Sequence, residues 1–106
     1  IFAANDYMAI GASLAAKALG RTDLIILGND GDTSGLEEIA AGNLTATVNT
    51  VPFLMGQAAM NVTLDALNHK FAGGWVEIPT EIIDADSVIP VLQRPEKLYP
   101  QPSKTY

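Results

Sequence analysis

Cysteine is absent, which excludes disulfides, thiolate metal ligands and a cysteine nucleophile and fits an oxidising or a reducing compartment equally. Basic residues are few. Six Lys and Arg (Lys17, Arg21, Lys70, Arg94, Lys97, Lys104) stand against twelve Asp and Glu, for a formal net charge of −6. Neutralising nucleic-acid phosphates needs clustered cations, so binding of nucleic acid through this segment is disfavoured. No apolar run approaches the ~20 residues that a bilayer-spanning helix needs. A start methionine and a leader-like segment are also missing: the chain opens inside an apolar run, IFAA, and is expected to be a piece cut from a longer chain.

What is present is apolar material in quantity, 48% of 106 residues with only 17% charged. That allows a packed core in one domain or less. The chain is organised around residues 24–34, LIILGNDGDTS, where an apolar run ends on polar residues just before a helix start. IFAAND, residues 1–6, follows the same logic. Strands are expected at 1–4, 24–27 and 44–48, with extended pieces at 75–78 and 81–83. Helices are expected at 7–19, closed by Gly20; at 34–41, opened by a Ser34…Glu37 capping box; and from Pro52 to about residue 68. A helical turn is expected within 84–89, and residues 94–106 read as an irregular Pro-rich tail. Strands alternating with helices imply an α/β fold, a parallel sheet flanked by helices with right-handed crossovers. In such sheets the ligand sits at the carboxyl ends of the strands.

Asn5 and Asp30 each follow an apolar strand and precede a helix, which sets both on that rim. A rigidly held amide and carboxylate match the donor and acceptor pattern of paired hydroxyls, the way a polyol is bound. The same residue types favour helix N-caps, so capping alone is the competing reading; of the first pair, Asp6 is the expected cap. The run Asp30-Gly-Asp32-Thr33-Ser34 partly matches an aspartate-nucleophile phosphatase, although two residues separate it from the apolar run and Ser34 replaces a threonine. An EF-hand loop is excluded because its twelfth position falls on Ala41. Asp32 is then expected to be a solvated loop carboxylate. His69 lacks a nucleophile partner, Asp84-Ala-Asp86-Ser87 reads as a helix-start cap, and Trp75 beside Gly73-Gly74 reads as packing.

Taken together, IFAANDYMAIGASLAAKALG, LIILGNDG and AGNLTATVNTVPFLMGQAAM, in that order and spacing, resemble the C-terminal half of a type I periplasmic sugar-binding protein, the soluble receptor of a sugar ABC importer, similar to the ribose-binding group. The resemblance runs over about residues 1–88. Lactose-repressor-type regulators share the first two motifs; Ala46-Thr-Val48 followed by Pro52 and Gly56 favours the transport receptors. The resemblance implies two Rossmann-like lobes joined by three crossovers, with a sugar or related polyol clamped between them by hinge closure. Residues 1–49 would belong to the C-terminal lobe, 50–83 to a hinge crossing plus a helix and strand of the N-terminal lobe, and 84–106 to the return crossing and tail. Asn5 and Asp30 match positions that bond sugar hydroxyls. Thr50 falls where a hinge glutamine is usual, with Asn49 as its stand-in, and Asn29 replaces a common aromatic. Implied partners are the sugar, a membrane permease and the missing N-terminal half, in the periplasm or, as an anchored lipoprotein, outside a Gram-positive cell. No catalytic residue, metal or cofactor is implied.

Overall fold

A computed structural model describes residues 1–93. The elements are α1 (Asp6–Ala18), β1 (Leu27–Asp30), α2 (Thr33–Ala40), β2 (Ala46–Asn49), α3 (Pro52–Leu67), β3 (Glu81–Asp84) and α4 (Val88–Leu92). Helix α1 turns Ala9, Ser13 and Ala16 inward, a stripe of small side chains that lets it lie close on the sheet. Helix α2 buries Leu36 and Ile39, and these meet Ile26, Leu44, Ile83, Val88 and Val91 in the core. Ser13 ties α1 to the loop after α2 by donating to the Asn43 carbonyl at 2.8 Å.

The sheet runs β1-β2-β3. Strands β1 and β2 are parallel, Leu27 to Asp30 pairing with Ala46 to Asn49, and the opening residues add a parallel bridge from Phe2 to Leu27. Strand β3 departs from the expected all-parallel order: it pairs antiparallel with β2, Asn49 opposite Glu81 and Ala46 opposite Asp84. The reason is topological. The chain leaves the sheet after Asn49 and re-enters at the same end, so it must run the opposite way. The strand that re-enters beside β2 begins at Glu81. The strand expected at 24–27 also shifts. Ladder pairing starts at Leu27, while Ile26 is an irregular lead-in held by Thr45.

The extended piece expected at 75–78 forms no strand, and Trp75 is fully exposed. No described strand pairs with it. Helix α3 forms over its expected span with Pro52 in its first turn, yet none of its residues is buried. Its apolar side chains, among them Met55 and Val62, wall an open groove of about 340 Å³ with Phe71, Val76 and Ile78. An exposed apolar surface of this kind marks an interface.

Candidate ligand-binding rim

One edge of the sheet gathers the polar groups. By register, Asp30, Asn49 and Glu81 stand side by side on three neighbouring strands, about 4.8 Å from one strand to the next. Asn5 follows the bridge to β1 and joins the same edge. Thr50 lies one step past Asn49, its N–H donating to the Asp30 carbonyl at 3.3 Å.

Asn5, not Asp6, caps α1. Its backbone is extended (φ −152°, ψ 172°) and its Oδ1 accepts from the Met8 N–H at 2.9 Å. Capping and ligand contact are compatible here: the Asn5 amide nitrogen donates to no partner among the described residues, and the residue is half-buried. Asp6 instead points inward and is fully buried. Its Oδ2 accepts from the Asp32 N–H at 2.7 Å and its Oδ1 from the Thr47 hydroxyl at 2.6 Å.

Asp30 is half-buried and carries φ 113°, a left-handed conformation that a residue with a Cβ rarely adopts. The bend turns its carboxylate to accept from the Asn29 side-chain amide at 2.9 Å. Gly31 continues the turn at φ 78°, and a Cβ there would come within 3.0 Å of Asn49. Asn49 is only 2% exposed. Each end of its amide makes one hydrogen bond: Oδ1 accepts from the Val51 N–H at 3.0 Å, and Nδ2 donates to Glu81 Oε1 at 3.3 Å. These bonds hold it rigidly in the rim, and Glu81, which sequence reasoning missed, is the exposed group beside it. The missed signal is the register itself, since Glu81 reaches the rim only because β3 returns antiparallel.

Asp32 also departs from expectation. It is the N-cap residue of α2, with no capping bond from its side chain, so the cap stands two residues before the expected Ser34. It is half-buried rather than solvated. Burial, then the neighbouring Asp6 and Asp30 carboxylates, push its pKa above the ordinary carboxylate value. Ionised Asp32 therefore opposes folding at neutral pH, and the opposition is relieved as pH falls through the raised pKa toward the ordinary range. Asp32→Asn should be more stable than wild type at neutral pH and should lose that advantage below about pH 4. Urea midpoints of the full-length protein across pH check this. A less stable Asn variant at neutral pH would mean that attraction of the carboxylate to the α2 N-terminus prevails.

Farther along, Asp84 organises the turn into α4. Its Oδ1 accepts from the Ser87 hydroxyl at 2.8 Å and from the Asp86 and Ser87 N–H groups, each at 3.1 Å. Ser87, whose hydroxyl and N–H both donate to it, is the main cause holding this carboxyl below the ordinary value.

The profile of the periplasmic binding protein domain matches residues 1–71. The chain belongs to the periplasmic binding protein family. Among curated relatives of this periplasmic binding protein, the ribose import binding protein of Bacillus subtilis is 34% identical over 82 residues, 77% of this chain and 27% of the relative. That of Salmonella typhimurium is 36% identical over 62 residues, 58% of this chain and 21% of the relative. The chain thus spans between a fifth and a third of the length of these proteins. Among solved structures, a Mycobacterium smegmatis protein in complex with β-D-fucofuranose superposes with a TM-score of 0.77 at 29% identity, covering 93% of this chain and 34% of that one. An ABC transporter solute-binding protein from Bacillus halodurans with bound myo-inositol superposes with a TM-score of 0.67 at 33% identity, covering 85% and 31%. The structural likeness takes in more of the chain than the family profile, which ends at residue 71, before β3 and α4 of this periplasmic binding protein.

Proposed function

We propose that the protein to which this chain belongs is the solute-binding component of an ABC importer, and that it captures a sugar or related polyol between two lobes. The row Asp30–Asn49–Glu81 at the sheet edge carries the reading, because it sets acceptor groups around a rigid amide where hydroxyls can be matched one by one. Asn5 supplies a donor through its unpartnered amide nitrogen, Asp30 accepts from one or two hydroxyls, and Thr50 contributes its own hydroxyl at the crossing. Asn49 acts through Glu81 and Val51, which it holds in place.

On this reading residues 1–49, β3 and α4 form one lobe, and α3 with residues 71–78 joins the other. The uncovered face of α3 is the surface that the remainder of the protein covers. The two crossings lie at Thr50–Val51 and Thr80–Glu81, and closure about them desolvates the hydroxyls. The closed form then docks on a membrane permease, outside the cytoplasmic membrane. The role is capture and delivery, without a chemical step. Sugar-bound relatives and the import roles of the named homologues support it.

A thermal-shift screen of the full-length protein against pentoses, hexoses and cyclitols tests this. A bound ligand raises Tm with concentration by mass action, by about 2.7 kcal/mol of added stability at a hundred times Kd. No shift with any member of the panel would sink the assignment.

A further inference from the structure

We infer that Asp6 is the positioning residue of the rim, its buried carboxylate setting the mutual placement of Asn5, Asp30 and Asn49; the inference rests on reading that rim as a sugar site. Asp6 adjoins Asn5 in the chain. One of its oxygens bonds the N–H of Asp32, two residues past Asp30. The other bonds the hydroxyl of Thr47, two residues before Asn49. A single side chain thus ties together the start of α1, the turn after β1 and the middle of β2. The space around it is shaped by two glycines from different elements. A Cβ at Gly28 would collide with Asp6 Oδ1, and one at Gly35 would lie 2.6 Å from its Cγ and Oδ2.

Stability alone is a weak reason for such a group. A buried carboxyl with no cationic partner carries a desolvation penalty that a well-packed apolar residue avoids, and among the described residues no Lys or Arg nitrogen lies within 4.0 Å of Asp6. What an apolar residue lacks is direction. Two short hydrogen bonds at opposite oxygens fix both distance and angle between the loop carrying Asp30 and the strand carrying Asn49.

Three variants of the full-length protein separate placement from bulk. Asp6→Asn keeps the length; its oxygen can accept from Asp32, and its NH₂ can donate to the Thr47 hydroxyl, which accepts as well as it donates. Asp6→Ala keeps neither bond. Asp6→Glu drives an extra methylene against Gly28 and Gly35. Affinity is titrated with D-ribose, D-allose and myo-inositol, well below each variant's Tm. The Asn variant should bind within about threefold of wild type, and the Ala and Glu variants about tenfold or more weaker, mainly through faster release. In the unliganded proteins the backbone amide shifts of Asp30 and Asn49 should move in the Ala and Glu variants and hold in the Asn variant. If Asp6→Ala fails to fold, Thr47→Val, which deletes one donor and keeps the volume, takes its place with the same expectation. Unchanged affinity in a folded Ala or Val variant, with shifts confined to residues touching position 6, overturns the inference. If none of the three sugars binds wild type, the panel counts against the sugar reading, and the amide shifts alone decide whether Asp6 places Asp30 and Asn49.

Discussion

Asp30→Gly is expected to raise the stability of the full-length protein while weakening its hold on the proposed sugar ligand. The two effects come from different atoms. At φ 113° the backbone of Asp30 is strained by its Cβ, and a residue held in such a region costs on the order of 1–3 kcal/mol. Glycine adopts that conformation freely but is about 0.5–1 kcal/mol more flexible when unfolded. The lost bond from Asn29 is a second, smaller debit, which leaves a net gain of roughly 1 kcal/mol or less. The carboxylate itself disappears. Each hydrogen bond to a charged group contributes about 1.5–3 kcal/mol, so losing one weakens binding at least about tenfold and losing two at least about a hundredfold. Calorimetric titration and thermal melting of one preparation read both effects. Wild-type affinity in the glycine variant would remove Asp30 from the site, and a lower Tm would show that its conformation is unstrained.

Gly35→Ala should be among the most damaging single-methyl changes in the chain. Position 35 lies inside α2, where helix propensity alone favours alanine over glycine by about 0.8–1 kcal/mol. Packing reverses the sign. The new methyl would sit 2.6 Å from Asp6 Cγ and Oδ2, against a carboxyl that two hydrogen bonds hold still. Overpacking a filled interior costs about 1–3 kcal/mol, occasionally more, and displacing Asp6 also strands the buried Asp32 N–H and Thr47 hydroxyl, about 1–3 kcal/mol for each unsatisfied group. A net loss of about 3 kcal/mol or more is expected, read from denaturant midpoints. The double variant Asp6→Ala/Gly35→Ala should be no worse than Gly35→Ala alone, because the methyl then enters the space the carboxyl leaves. Full additivity of the two losses would show that they do not share that space.

Much of the fold was legible in local pattern. Helix α1 and its closing Gly20, the span of α3 after Pro52 and the alternation of strands with helices all follow from spacing and breaker residues that act within a few positions. What escaped depends on partners distant in the chain. LIIL looks like the strand, but pairing with β2 starts only at Leu27, where the polar residues begin. Trp75 and its neighbours have the composition of a strand and, within the described residues, pair with none. The Asn5–Asp6 exchange has the same origin. Either side chain can cap a helix, and the choice is made by Thr47 and the Asp32 N–H, which lie 41 and 26 residues away. A carboxylate satisfied by those groups turns inward and leaves the cap to its neighbour. Glycines at 28 and 35 were the visible trace of that buried group. The placements of Asp30 and Thr50 at the strand ends were readable; Glu81 was not, because nothing local announces an antiparallel return. The tail expected from residue 94 lies outside the described residues.

The pairing of Asn49 with Glu81 makes β2 and β3 a hairpin whose loop is the whole of residues 50–80. Pairing β3 with β2 then carries the entropy of closing that loop, which grows by about 0.6 kcal/mol for each doubling of its length. The excursion can be long, short or still unfolded without moving a single rung of the ladder. The sheet can therefore form on the chain before residues 50–80 have found their shape, and replacing residues 50–80 by a tight turn is a direct route to an isolated, correctly registered sheet.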